Sequence, residues 1–174
     1  MKIDKKFSPN ENTDSQAVRG LAQSGDAEAQ FAVGLAIASG GSKSDYAEAA
    51  QWYLKAAEQN HIEAQFNLGI MYWKGEGVAR DKSLSRMWMS RAAQLGDAGA
   101  QYEFGMRQDR LSLDEKAGAA QELKIEAYKW VLLAAAQGYS GSETGCDFVA
   151  MDMSHAGVIE GKRRARAFKS GTKS

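Results

Sequence analysis

The side chains best suited to chemistry are few, and their spacing does not assemble a site. The 174-residue sequence holds two histidines, His61 and His155, and one cysteine, Cys146. Neither histidine has a Cys or Asp partner at metal-ligand spacing, so no metal site is assigned. Cys146 is flanked by Gly145, Asp147 and Phe148, which supply no base to make it a nucleophile, and an ordinary packed thiol is expected. A lone cysteine excludes an intrachain disulfide framework and suits a reducing compartment. The glycine pairs Gly75 and Gly77, and Gly40 and Gly41, precede no Lys-Ser or Lys-Thr pair in the Walker arrangement and follow no strand, so they do not form a phosphate loop. No two carboxylates are singled out for acid and base work, which needs burial that separates their pKa values. No catalytic or cofactor-binding residue is assigned, no cofactor is expected, and the chain is read as a non-enzyme.

Composition narrows the partners. Twenty-two Lys and Arg balance twenty-two Asp and Glu, so the chain as a whole exerts no pull on nucleic acid or anionic lipid. The basic run Lys162 to Arg166, with Lys169 and Lys173, reads as a solvated final helix and tail. No apolar run approaches membrane-spanning length, and no apolar segment follows the charged start. A cytoplasmic placement is expected, with export by a route that needs no such signal left open. With 44% hydrophobic residues, the chain is long enough for one folded domain.

Internal repetition carries the main signal. GDAEAQFAVG at 25–34 returns as NHIEAQFNLG at 60–69 and as GDAGAQYEFG at 96–105, placing Gly34, Gly69 and Gly105 at intervals of 35 and 36. A second word set follows in phase, QWYLKAAEQN, MWMSRAAQLG and KWVLLAAAQG, with Trp52, Trp88 and Trp130 spaced by 36 and then 42. Each repeat reads as two helices, about 27–38, 62–74 and 98–109 for the first, and about 45–59, 81–95 and 119–137 for the second. A glycine inside a helix costs roughly 1 kcal/mol against alanine. Its recurrence points to a neighbouring helix too close for any Cβ.

The expected architecture is an all-α, right-handed α/α solenoid of about three and a half to four helix-turn-helix repeats. Its units are about 25–60, 61–96, 97–138 and a degenerate capping unit 139–169, within a single solenoid at 13–169 that opens on a short helix over Asp14 to Ser24. Residues 1–12 and 170–174 are expected to be mobile tails. In the hairpin turns, Asp81 is placed to cap the next helix, and Gly40, Gly41, Ser44 and Asp45 serve the same purpose one repeat earlier. His61 stands where the neighbouring repeats have Asp26 and Asp97, so a solvated or capping role is expected, and His155 is expected to start the last helix similarly. About six residues are inserted in the third repeat, where a lengthened second helix or a larger loop is expected, with Leu111 and Leu113 folding back on the body.

In this form the chain resembles the Sel-1-like repeat, a relative of the tetratricopeptide repeat with a longer, glycine-rich turn. The second repeat carries the pattern most fully, through Ala64, Leu68, Gly69, Tyr72, Gly75, Gly77, Val78, Asp81, Trp88, Ala92, Ala93 and Gly96. The third departs, with Gln108 where the second has Tyr72. The resemblance implies an adaptor or scaffold that binds a protein or peptide of unknown identity, as in bacterial envelope and secretion proteins and eukaryotic quality-control assemblies. It implies no shared catalytic residues.

Carried over by resemblance, the inner-face pattern selects Glu28, Phe31, Leu35 and Ala38, then Glu63, Phe66, Ile70 and Trp73, then Gly99, Tyr102, Met106 and Asp109. Phe31, Phe66 and Tyr102 form one column and Leu35, Ile70 and Met106 another. These columns line either a concave groove or the core between hairpins. Trp73 is the expected exposed anchor, and Arg107, Asp109 and Arg110 are expected rim charges. A self-associating homodimer is an alternative reading, and an enzyme with a site in the groove a more distant one.

Overall fold

In the computed structural model, which describes residues 13–171, the chain folds into nine described helices: α1 Thr13–Gln23, α2 Ala27–Ala38, α3 Lys43–Glu58, α4 Ile62–Lys74, α5 Lys82–Gln94, α6 Ala98–Ser112, α7 Ala117–Ala135, α8 Ser142–Ala150 and α9 His155–Gly171. Residues 1–12 and 172–174, which hold most of the expected tails, lie outside the described residues. The chain divides between Ser85 and Arg86 into two compact units.

In the first unit α1 packs on α2, α2 pairs with α3, and α3 packs on α4. Each first helix starts with the same device. Asp26 Oδ1 accepts from the Ala29 amide at 2.7 Å, and in the next repeat His61 Nδ1 accepts from the Ala64 amide at 3.3 Å. His61 is therefore a cap, because an unprotonated ring nitrogen can replace a carboxylate oxygen as acceptor. The α3 cap is a reciprocal box in which Asp45 N donates to Ser42 Oγ and Ser42 N donates to the Asp45 carboxylate. That bonding holds the exposed Asp45 carboxyl below its ordinary pKa. Asp81 caps α5 as expected, its Oδ1 accepting from the Ser83 and Leu84 amides at 2.8 and 2.9 Å.

The recurrent glycines sit where two helices touch. A Cβ on Gly34 would lie 2.8 Å from Tyr53 Cε1 and 3.3 Å from the Ala49 carbonyl oxygen. One repeat later the Gly69 carbonyl accepts a 2.6 Å bond from the buried Ser85 hydroxyl. Ala49 and Ser85 hold the same register position, three residues before Trp52 and Trp88, so a small residue faces the glycine each time. The first unit's core joins Ala22, Ala29 and Val33 to Val18, Ile37 and Trp52, with the Lys55 ammonium 4.3 Å above the Trp52 ring.

In the second unit Asp97 Oδ1 caps α6 at the Ala100 amide, and α6 pairs with α7. Gly105 meets Ala127, the next residue in the small-residue register, and a Cβ there would lie 2.9 Å from the Ala127 carbonyl oxygen and 2.7 Å from Val131 Cγ2. The insertion has lengthened both helices instead of making a large loop: α6 continues to Ser112 and α7 begins at Ala117. Leu111 and Leu113 do not fold back on the body; helical backbone bonding absorbs the added residues, and the two side chains are 43% and 72% exposed.

The residues expected as a fourth hairpin form two helices that are not packed along each other; both lie on α7. Gly161 allows α9 this approach, since a Cβ there would lie 2.7 Å from Tyr128 Cδ1. Arg164 fastens it, donating to Glu122 and Glu126 of α7 and to Glu160 of its own helix. His155 is the first residue of α9, but Ser154 Oγ supplies the cap, accepting from the Gly157 amide at 3.1 Å.

A polar ladder runs beside the glycines. Gln30 Nε2 donates to the Ala22 carbonyl, Gln65 Nε2 to Ala57 and Gln101 Nε2 to Ala93, at 3.0–3.1 Å. Each bond reaches back eight residues, from a buried first-helix glutamine to the end of the preceding helix, where carbonyls lack intrahelical partners. In the first and third repeats a second glutamine completes the bond set. Gln59 Nε2 donates to Gln30 Oε1 and the Gly25 carbonyl, and Gln137 Nε2 donates to Gln101 Oε1 and the Gly96 carbonyl. At that register position the second repeat has Leu95, and Gln65 Oε1 is buried without a hydrogen-bond partner.

Candidate functional site

Helix α2 is the most unusual surface of the first unit. Its twelve residues include only two polar side chains, Glu28 and Gln30, and Gln30 is buried in the ladder. The remaining apolar residues surround the helix, so both its buried and its open sides are hydrophobic. Val33 faces α1 and α3, while Ala32, Leu35 and Ala36 are exposed, Leu35 at 53%. A helix that is apolar on every side is ordinarily covered on every side.

The neighbouring positions frame that stripe. The half-buried Phe31 ring lies 5.7 Å from Tyr53 and is stacked on His61 at 4.5 Å and 26°. Because His61 Nδ1 accepts from Ala64, its proton resides on Nε2, which donates to the exposed Glu28 carboxylate at 3.1 Å. Glu63 is exposed on α4, and Phe66, Ile70 and Ala38 are half-buried. Trp73 is half-buried, not fully exposed: the Arg80 guanidinium lies 5.6 Å from its ring, and Arg80 Nε donates to its carbonyl at 3.0 Å.

The equivalent residues of the second unit are placed differently. Tyr102 and Met106 are half-buried against the cluster of Ala127, Tyr128, Val131 and Val149, and Tyr102 packs 5.3 Å from Tyr139. Gly145 of α8 sits so close that a Cβ would lie 2.8 Å from Tyr102 Cε2. Phe31 against His61 and Tyr102 against Tyr139 thus show a related arrangement twice, a column aromatic packed on the ring that follows the repeated Gln-Asn or Gln-Gly step, stacked in the first case and tilted in the second. Gly99 is buried.

Asp109, expected as a rim charge, is instead buried at 7% exposure. Burial raises its carboxyl above the ordinary value, Lys124 opposes that effect, and Asp152 adds to it. With a raised folded-state pKa, the folded protein keeps a proton that the unfolded chain has released. Stability therefore falls as pH rises from the ordinary carboxylate range through the raised value. Asp109→Asn is expected to stabilise the fold at neutral pH by about 1 kcal/mol and to flatten that acid-side dependence. Urea midpoints at neutral and mildly acidic pH check both effects, and a variant less stable at neutral pH would contradict them.

Burial, with Asp147 and Glu143 nearby, pushes the Cys146 thiol up to about 11. Its alkylation at neutral pH is expected to be about two orders of magnitude slower than that of an unhindered cysteine, accelerating as pH approaches the thiol's own value. A mass-spectrometric time course reads this directly. Among the described residues no group of three His, Cys, Asp or Glu side chains could hold a metal ion, and no described helix is long and apolar enough to cross a membrane.

The Sel1 repeat family model matches residues 27–61, 62–97 and 121–139, slightly more than half of the chain, in phase with the helix pairs. The chain belongs to the Sel1 repeat family. Sel1 repeats are non-catalytic modules that generally mediate protein–protein interactions. The structure is similar to a Sel1 repeat protein from Oxalobacter formigenes, with a TM-score of 0.62 and 33% identity over 77% of this chain and 97% of that one. It is also similar in fold to a protective antigen of uropathogenic Escherichia coli strains displaying an SLR fold, with a TM-score of 0.77 and 24% identity over 91% of this chain and 33% of that one. Both likenesses place the chain in the all-α solenoid class of tandem helix-turn-helix repeats, here about four. Among curated proteins, the ERAD-associated E3 ubiquitin-protein ligase component HRD3B of Arabidopsis thaliana is 34% identical over 77 residues, 44% of this chain and 13% of that protein. The chain spans between 8% and 24% of the curated relatives it matches.

The glutamine ladder is marked in the sequence by the repeated words EAQF and GAQY. The signal is a polar residue kept at an otherwise apolar position, phased with Gln59 and Gln137.

Proposed function

We propose that this Sel1 repeat chain is an adaptor or scaffold that receives a protein or peptide partner on the first-helix side of its first unit. In helical solenoids generally, first helices line the concave surface. The observation that supports this reading is α2, whose open stripe of Ala32, Leu35 and Ala36 is apolar where an uncovered helix is normally polar. Leu35 and Trp73 supply the apolar contact, with Glu28 and Glu63 as exposed carboxylates that orient the partner more than they hold it. HRD3B, a component of a ligase assembly by its name, fits such a role.

The test is a crosslinking capture from native lysate with the parent chain and a Leu35→Asp, Trp73→Ala variant whose helicity has been verified by circular dichroism. The proposal expects a partner held by the parent and lost by the folded variant. Equal capture by both would move the binding surface away from α2 and α4.

A further inference from the structure

Helices α8 and α9 carry matched, uncovered faces. On α8 and its C-cap, Thr144, Asp147, Phe148 and the capping Met151 recur at i, i+3, i+4 and i+7 and all are exposed, Phe148 at 58% and Met151 at 77%, with the exposed Glu143 beside them. On α9, Ile159, Lys162, Arg163 and Arg166 recur at the same spacing and are exposed, Ile159 at 55%. One stripe is acidic and apolar, the other basic and apolar.

Within one chain these stripes do not meet, because α9 is fastened to α7 through Gly161 and Arg164 and is not packed along α8. Arg163 is engaged with Glu160 of its own helix. Glu143, Asp147, Lys162 and Arg166 make no ion pair among the described residues. Both stripes lie in the second unit, and the surface proposed above for a partner lies in the first.

We infer that a second copy of this chain covers them, the α8 stripe of each copy lying on the α9 stripe of the other. A twofold axis makes the contact twice and leaves neither stripe open, which is the closed geometry of an isologous dimer. Phe148, Met151 and Ile159 supply the apolar contact, while Asp147 and Glu143 against Lys162 and Arg166 set the register and reject a like-on-like pairing. The occupant is the same chain because that chain presents the complement of its own α8 stripe, in charge and in spacing.

The experiment is sedimentation equilibrium of the full chain across about a hundredfold range of concentration. The inference expects a reversible monomer–dimer equilibrium that weakens with added salt. Asp147→Lys and Arg166→Glu are each expected to raise the dimer Kd by about tenfold or more, since each places like charges opposite one another twice. Both residues are exposed, and circular dichroism verifies that the variants fold. An equimolar mixture of the two variants is expected to dimerise again, because every pair in the mixed dimer is of opposite sign. A chain that stays monomeric throughout, a dimer indifferent to both substitutions, or open-ended higher assembly would each overturn the inference.

Discussion

Gly77→Ala is expected to be the most damaging single-methyl change in the first unit, costing about 3 kcal/mol or more, while Gly75→Ala costs about 1 kcal/mol. Both glycines adopt left-handed backbone, with φ of 77° at Gly75 and 71° at Gly77, so each substitution carries the conformational penalty of an L side chain there. Only one carries more. A Cβ on Gly75 would meet Arg80 Cβ at 3.3 Å, a contact that a side chain on the surface relieves. A Cβ on Gly77 would overlap the carbonyl group of Tyr46 and the amide of Ala47, backbone in the first turn of α3 that cannot move without unwinding it. The hairpin turn is thus seated on the preceding repeat. Urea denaturation of the two variants measures the difference, and equal losses would mean that conformation alone is at stake.

Gln101→Leu is expected to cost about 2–3 kcal/mol, and the matching Gln65→Leu about 1 kcal/mol or less. Gln101 is 2% exposed and sits in a completed bond set, donating to the Ala93 carbonyl and accepting from Gln137 Nε2. Leucine there removes both side-chain bonds, leaving the Ala93 carbonyl with the Gly96 amide alone and Gln137 Nε2 with the Gly96 carbonyl alone. Gln65 is fully buried and donates to the Ala57 carbonyl, but its own Oε1 has no partner. Its replacement loses one bond and removes one buried unpaired acceptor, two changes of opposite sign. The prediction is therefore an inequality between identical substitutions in adjacent repeats, read from their urea midpoints. A larger loss at Gln65 would contradict the ladder account.

Those two residues also mark how far sequence reasoning reaches. The glycines were legible because a Gly recurring in a helical word implies close approach, and Gly34, Gly69 and Gly105 do meet small residues on the facing helix. The caps were legible for the same local reason, since Asp26, His61 and Asp97 share one position and all three side chains accept the amide three residues on. Gln101 was legible as a word but not as a bond, because its acceptor is the end of another helix and only packing brings the two together. Asp109 was misplaced by extending the regular inner-face spacing through α6. The inserted residues lengthen α6 and α7, and Asp109 is enclosed where Lys124 and Asp152 act on it. Phe31 and Tyr102 were legible as one column, but the His61 and Tyr139 rings packed on them come from beyond the helix pair that each aromatic opens, and only packing brings them together.

The α8 and α9 pair shows a different limit. Its length suggested a fourth hairpin, yet a hairpin needs facing apolar stripes, and the face that α9 directs inward is matched to α7. Gly161 and Arg164 decide this through Tyr128, Glu122 and Glu126, all of them distant in sequence. The exposed Phe148 and Met151 are the consequence.

The partner proposed above would rest on the open stripe of α2 and on α4. Hydroxyl-radical footprinting of the chain, alone and with a captured partner, tests it at single side chains. Oxidation of Leu35 and Trp73 is expected to fall on binding while that of Leu113, on the second unit, is unchanged. Protection at Leu113 with Leu35 and Trp73 still reacting as in the free chain would contradict it.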